Sequence, residues 1–254
     1  MEQHKIGSFQ WTVQNQGKLS FKEKVKLINK IILPSFITPI KANLNLNPWK
    51  KDSDFNLDLI IVPDTPMIKL AVEELESKAD LALINHSWRT YFWGATLGHI
   101  QHHHYDPESL LTASLFHDIG FTEAHIHSKG CKCFTQESAD QFQIKAQEIQ
   151  FDAVKTEIIK DAICLHMNGY SDDSYSNEAK LLQQGASCDV IGDQIYKVPK
   201  HLKNSVLTQY PRENFNKRMI ENIKMESKLN PNSRTALFDK LGLPLLIHLN
   251  PFKE

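Results

Sequence analysis

The chain has 254 residues, of which 41% are hydrophobic and 23% are charged, and its formal net charge is −1. This composition is typical of a globular protein with one substantial core, and the near-zero charge argues against partners such as nucleic acid or an anionic membrane. With no signal-peptide pattern and no run approaching the roughly 20 apolar residues of a membrane span, we expect a cytoplasmic location and reduced cysteines.

The N-terminal part of the chain carries one clear helix signal. Ser20 and Glu23 form a capping-box pattern, and apolar residues follow at helical spacing up to residue 32. Pro34 and Pro39 are expected to end this helix, and residues 43–48 read as a polar connector. The next apolar residues alternate with polar ones, which favours a short strand or an extended arm at Phe55, Leu57 and Leu59.

Helical signals become regular further along the chain, and strand signals are nearly absent there. Seven helices are predicted: after the cap Thr65, over 81–98, from Asp106 to Phe116, over 135–149, from Asp152 to about His166, over 177–191, and from Pro211 onward. The expected fold class is therefore all-α. We interpret residues 1–60 as a small N-terminal extension and residues 61–254 as one helical domain.

Four polar residues lie within or at the end of apolar helical segments, where an unpaired charge is costly. They are His86, His117, Asp118 and Asp189. Imidazole nitrogen and carboxylate oxygen are ligands that suit Zn²⁺, Fe²⁺ or Mn²⁺, and helices often converge such ligands on the interior of a bundle. Each residue taken alone is more often a hydrogen-bonded core residue, so the hypothesis depends on the set.

The residues around these four carry a wider pattern, which extends over roughly residues 63–240. Its segments are Asn85–Arg89, Tyr91–Gly94, Leu115–Gly120, Asp161–His166, Cys188–Gly192 and Tyr210–Arg212. The order of a histidine, then His-Asp, then a distant aspartate resembles the HD superfamily. The flanking segments resemble its cyanamide hydratase branch.

The resemblance implies an HD-type helical bundle with a single divalent metal ion, Zn²⁺ being favoured over Fe²⁺ and Mn²⁺. His86, His117, Asp118 and Asp189 would be the ligands, and water would take the remaining position. Metal-bound hydroxide would attack a small nitrile-like or amide-like substrate, as in a hydratase or hydrolase. Asp118 and His166 would be the catalytic residues, with His166 handling a proton or orienting substrate. A role for His166 in only holding a ligand is the alternative.

Departures from the family pattern leave the substrate open. Leu165-His166-Met167 lacks an arginine that the family has, and residues 133–138 and 230–235 also differ. No cation follows His117-Asp118 before His125, which disfavours a phosphohydrolase acting on a nucleotide or phosphoester. A phosphohydrolase remains the alternative enzymatic function. A third possibility is a non-catalytic protein that binds a metal or ligand. A homo-oligomer is left open.

A second group of metal-ligand types follows the His-Asp pair. His125, His127, Cys131 and Cys133 invite a zinc interpretation, but their spacing is not that of a known zinc finger. An exposed loop is the preferred interpretation of this segment.

Overall fold

The computed structural model describes residues 4–31, 55–252 and 254, and within them it contains twelve α-helices and no β-strand. The prediction of an all-α fold is confirmed. The helices are α1 (Phe9–Asn15), α2 (residues 21–31), α3 (Pro66–Lys78), α4 (Leu81–Ile100), α5 (Pro107–Phe116), α6 (Phe134–Glu148), α7 (Ala153–Leu165), α8 (Asn177–Ile191), α9 (Lys200–Gln209), α10 (Phe215–Leu229), α11 (Arg234–Lys240) and α12 (Leu243–His248). The expected helix end at Pro34 and Pro39 and the connector at 43–48 lie outside the described residues.

The predicted helix starts are confirmed by side-chain caps. Thr65 accepts a hydrogen bond from the backbone N–H of Ile68, and Asp106 and Asp152 cap α5 and α7 in the same way. The reciprocal capping box at α2 is also present, because Glu23 accepts from the N–H of Ser20 at 2.8 Å. Each cap satisfies a backbone donor that a helix leaves without an internal partner.

Two expectations are wrong in detail. Residues Leu57–Leu59 form a 3₁₀ turn rather than a strand or an extended arm, because the Asn56 side chain accepts from the N–H of Asp58 and closes a turn. The last predicted helix begins at Phe215 and not at Pro211, since Glu213 and Asn214 have positive φ angles of 55° and 59°. The sequence prediction also lacked α1, α9, α11 and α12.

The N-terminal residues 4–31 pack against the helices that follow. The N–H of Phe9 donates to Oδ1 of Asp161 on α7 at 2.8 Å, and the N–H of Leu19 donates to the Asn232 carbonyl at 2.9 Å. Trp11 and Leu27 are buried in a small core of their own. The boundary at residue 60 stays a prediction.

Helices α4 and α8 approach each other backbone to backbone. A methyl group at Gly185 would lie 2.2 Å from the carbonyl oxygen of Thr90, and one at Gly94 would lie 2.8 Å from that of Leu181. Only glycine fits at such a distance, so these two positions set how closely the helices pack. One turn beyond Gly185, α8 therefore presents Asp189 directly to the side chains of α4.

Apolar residues form a main core and a second cluster. The main core is built from helices α3 to α8, and its largest side chains include Trp93, Phe116 and Phe142. The second apolar cluster joins α10 to the segment after α5 and consists of Ala82, Phe121, Phe134, Phe215, Met219, Ile223 and Ile247. Among the described residues, no helix combines the length and the apolar character needed to span a bilayer.

Candidate metal centre

Three helices deliver the four predicted metal ligands to the interior. His86 lies in α4, Asp189 lies in α8, and His117 ends α5 with Asp118 directly after it. His86, His117 and Asp189 are 0% exposed and Asp118 is 3% exposed. Four ionisable side chains are therefore removed from water in one place, which is stable only if each has a partner.

His86, His117 and Asp118 converge on one point. The two Nε2 atoms are 3.1 Å apart, and each lies 3.4 Å from Oδ2 of Asp118. Ligands at the usual zinc distance of about 2.0–2.1 Å in a tetrahedron are separated by about 3.3 Å. The triangle therefore matches one face of a tetrahedral coordination sphere, and this buried group could hold a metal ion.

Hydrogen bonds fix which nitrogen of each ring carries the proton. Nδ1 of His117 donates to the Ser114 carbonyl at 2.7 Å, and Nδ1 of His86 donates to Oδ2 of Asp189 at 2.7 Å. A carbonyl or an ionised carboxylate can only accept, so the proton of each neutral ring lies on Nδ1. Both Nε2 atoms then present lone pairs, as metal-ligating histidines do.

Two lone pairs facing each other at 3.1 Å repel, and a cation between them removes the repulsion. The pKa values follow from the same geometry. Burial lowers the pKa of His86, but hydrogen bonds to Asp118 and Asp189 outweigh it and the net shift is upward. The pKa of His117 is lowered, first by burial and then by the charge of His86.

Asp118 stays ionised although it is buried. Burial raises the pKa of its carboxyl group, but the imidazoles of His117 and His86 lower it further, to well below the usual range. A permanent negative charge beside two imidazole lone pairs is the donor set that a divalent transition metal prefers over an alkali or alkaline-earth ion.

Asp189 lies next to the cluster but on the other side of His86. Its carboxylate accepts from Nε and Nη2 of Arg89 at 2.8 and 2.9 Å and from Nε1 of Trp93 at 2.9 Å. Burial raises its pKa, but Arg89 and His86 outweigh that effect and hold the pKa well below the usual range. The sequence predicts Asp189 as a ligand, and the structure places its oxygen on the Nδ1 edge of His86, away from Asp118.

His166 lies beside the cluster, as the sequence predicts. Its Nε2 is 3.6 Å from Oδ1 of Asp118, the carboxylate oxygen that does not face the triangle. Nδ1 of His166 donates to the Ile163 carbonyl at 2.6 Å, so its Nε2 also presents a lone pair. Burial, and after it the neighbouring His117, lower the pKa of His166 to about 3, which keeps the ring neutral.

Aromatic side chains of the second apolar cluster cover this centre. Phe215 stacks on His86 with ring centroids 4.3 Å apart, and Phe134 meets His166 edge-on at 5.8 Å. Phe121 stacks on Phe134 at 3.8 Å. The space next to the candidate metal position is therefore bordered by apolar rings.

Sequence reasoning assigned no role to Arg89, Trp93, Arg212 or Phe215. A signal for two of them exists, because positions 86, 89 and 93 share one face of a helix. Arg212 reaches Asp189 from a loop, and the Tyr210–Arg212 segment of the family pattern is a signal for it. Phe215 reaches His86 from α10 with no local pattern that links it to the site.

The second set of candidate zinc ligands does not converge on one point in the described structure. It consists of His125, His127, Cys131 and Cys133. His125 contacts Glu137 through Nδ1 at 3.0 Å, and Lys132 contacts the same carboxylate at 2.8 Å. Cys131 is exposed and Cys133 is buried, and both are free thiols. Among the described residues, His86, His117 and Asp118 are the group whose ligand atoms come close enough for one ion.

Comparison with known proteins adds no assignment. No protein-family model matches the chain, and no curated protein matches it.

Proposed function

We propose that the protein is a metal-dependent hydratase or hydrolase of the HD superfamily type, acting on a small, uncharged, nitrile-like or amide-like substrate. One observation carries the proposal: two buried imidazoles bring their Nε2 atoms to 3.1 Å from each other and to 3.4 Å from an ionised carboxylate, while their Nδ1 atoms contact other acceptors. His86 of α4 lies close to His117 and Asp118 at the end of α5, and this proximity also supports the resemblance to that superfamily.

His86, His117 and Asp118 would hold the ion, and the nitrogen-rich, tetrahedral geometry favours Zn²⁺ over Fe²⁺ and Mn²⁺. A divalent cation bound there supplies a Lewis acid and makes a water molecule nucleophilic near neutral pH.

His166 would handle a proton or orient the substrate. Its Nε2 lies 3.6 Å from Oδ1 of Asp118, and its Nδ1 proton is anchored on the Ile163 carbonyl, so the neutral ring would offer Nε2 as an acceptor without turning. Adding water to a C≡N bond breaks one carbon–nitrogen π bond, joins the water oxygen to carbon and moves one water proton to nitrogen. The second proton then passes from that oxygen to nitrogen and gives the amide. His166 lies 3.6 Å from Asp118, close enough to handle that transfer at the centre.

The surroundings favour a neutral substrate over a nucleotide. Arg89 already donates to Asp189 and to the carbonyls of Tyr210 and Pro211, and Arg212 donates to Asp189, Asn216 and Glu254. Both guanidinium groups near the centre are engaged within the protein, and the apolar rings of Phe215 and Phe134 offer a phosphate nothing to bind. The phosphohydrolase is therefore the second candidate, and a metal-binding protein without turnover is the third.

The test is hydrolysis of a panel by the Zn²⁺-loaded protein: cyanamide, simple nitriles, small amides and nucleoside monophosphates. We expect amide or ammonia release that is absent in His117→Ala. His166→Gln should keep its metal and lose activity by about 10²–10⁴-fold, the usual size of a general acid–base contribution. His104→Gln, at an exposed histidine, is the matched control and should match the wild type. Phosphate release from a nucleotide by the wild type alone would contradict the proposal and favour the phosphohydrolase.

A further inference from the structure

We infer that Asp189 is a positioning residue for His86 and not a ligand of the metal ion. It holds the ring so that only Nε2 faces the ion, and the fourth position of the metal stays open. The inference rests on the metal site of the proposed function, and it changes the ligand set from four residues to three.

The geometry of the imidazole ring keeps Asp189 away from an ion bound at Nε2 of His86. Nδ1 and Nε2 point to different sides of the ring, and His86 uses Nε2 toward His117 and Asp118 and Nδ1 toward Asp189. An ion at about 2.1 Å from Nε2 lies on the side of the ring away from the Asp189 carboxylate. Since Asp189 is already 2.7 Å from Nδ1, it cannot also contact that ion.

The Asp189 carboxylate already accepts hydrogen bonds from several donors. Oδ1 accepts from Arg89 and Trp93 and lies 3.4 Å from Nη1 of Arg212, while Oδ2 accepts from Arg89 and His86. A carboxylate offers about four lone-pair sites, so none is left for an ion. Two guanidinium charges beside the carboxylate would also repel an approaching cation.

The backbone also fixes the position of Asp189 beside Nδ1 of His86. Gly94 and Gly185 bring α4 and α8 into backbone contact, and the Asp189 carbonyl accepts from Arg212 and from Asn250. The Phe215 ring stacks on the face of His86 and holds its plane. Moving Asp189 to the Nε2 side would break contacts to helix α4 and to the loop residues Arg212 and Asn250 together.

The consequence is a centre with three protein ligands. Catalytic zinc sites keep a fourth position for water or substrate, whereas structural sites fill all four with protein atoms. A carboxylate that accepts from the distal nitrogen of a ligating histidine fixes the tautomer and makes the ring a better ligand. Asp189 would thus act on the ion only through His86.

The test compares Asp189→Asn with Asp118→Asn by two measurements that need no turnover. Co²⁺ titration reports affinity and, through its visible absorption spectrum, the number and type of ligands. For Asp189→Asn we expect a 10–100-fold weaker Co²⁺ affinity with the wild-type band positions and intensity, which is the usual effect of losing an outer partner. For Asp118→Asn we expect a different spectrum or no binding. A changed spectrum in Asp189→Asn would overturn the inference.

The second measurement is ¹⁵N NMR of the histidine rings in the metal-free protein, which does not depend on whether the variants fold. At a pH where the His86 ring is neutral, we expect it to carry its proton on Nδ1 in the wild type, and a neutral ring protonated on Nε2 would overturn the inference. If the wild type binds no Co²⁺ or Zn²⁺ but His86 is protonated on Nδ1, the proposed function fails and the pairing of Asp189 with His86 stands.

Discussion

Asp118 and Asp189 are both buried carboxylates in contact with the same histidine, yet their surroundings differ. Asp189 is neutralised by the protein itself, through Arg89, Trp93 and the Nδ1 proton of His86. Asp118 faces the Nε2 atoms of His86, His117 and His166 instead. The comparison separates a carboxylate whose charge is balanced by guanidinium groups from one that faces three imidazole nitrogens, and it shows why burial alone does not identify a ligand.

The largest expected effect on stability comes from removing each carboxylate in the metal-free protein. Asp189→Ala leaves the buried guanidinium of Arg89 without its carboxylate, which should cost about 3–5 kcal/mol in the free energy of unfolding. Asp118→Ala should cost far less, because imidazoles can lose their charge and a guanidinium cannot. Urea unfolding at pH 8 measures both. Equal losses would contradict the comparison.

A third buried carboxylate sharpens the comparison, because Glu226 has neither a guanidinium nor an imidazole partner. Burial raises its pKa to about 7, although it accepts from the N–H of Phe134 and from Asn230. Its folded-state pKa lies above its ordinary value of 4.5, so its contribution to stability is present below pH 4.5 and is lost as the pH rises to about 7.

Glu226→Gln should remove that pH dependence, and above pH 7 the variant should be more stable than the wild type by up to about 3 kcal/mol. Urea unfolding at several pH values between 4 and 8 measures the difference. Glu221→Gln, at an exposed position of the same helix, is the control and should keep the wild-type slope. A Glu226→Gln protein with an unchanged slope would show that Glu226 ionises normally.

The close approach of α4 and α8 gives the next prediction. Gly185→Ala places a methyl group 2.2 Å from the Thr90 carbonyl oxygen, so the helices must separate, at a cost of about 2–3 kcal/mol. Metal affinity should fall as well, because Asp189 then moves away from His86.

Gly98→Ala is the matched control at the same helix pair. Its methyl group meets side-chain atoms of Leu181 and Tyr105 at 2.8 and 3.0 Å, and side chains can move aside. Thermal unfolding and Zn²⁺ titration of both variants test the prediction. A larger loss for Gly98→Ala than for Gly185→Ala would show that backbone contact does not set the geometry of the site.

The smallest predicted effect concerns a single donor to Asp189. Trp93→Phe keeps an aromatic ring against Phe252, where the Trp93 ring stacks at 5.8 Å, but removes the hydrogen bond to Oδ1. We expect a loss of about 1.5 kcal/mol in unfolding free energy, the lower end of the range for a hydrogen bond to a charged group, because Arg89 still donates to the same oxygen. An unchanged free energy would mean that Arg89 alone satisfies Asp189.

The helices that the sequence predicts well are those whose signals are local. Caps such as Asp106 and Asp152 act on the first turn of their own helix, so they are visible without tertiary information. Helices α9 and α11 are short, with few buried apolar residues, and their stability depends on packing against neighbours. The turn at Leu57–Leu59 depends on the Asn56 side chain, which alternation of apolar residues does not show.

The candidate site follows the same division. His86, His117 and Asp118 stand out because polar residues interrupt apolar helices, and the structure brings them together. The packing of α4 against α8 determines which edge of the His86 ring faces Asp189. This orientation therefore cannot be predicted from a sequence pattern. The stacking of Phe215 on His86 joins residues far apart in the chain and is equally invisible locally.

The most direct test of the proposed metal site is the metal stoichiometry of the purified protein after dialysis and reloading with Zn²⁺. Mass spectrometry of the native protein, together with elemental analysis, gives ions per chain for the wild type, His117→Ala and His104→Gln. We expect one tightly held ion per chain in the wild type and in His104→Gln, and none in His117→Ala. A wild type that retains no ion, or a His117→Ala protein that retains one, would contradict this expectation.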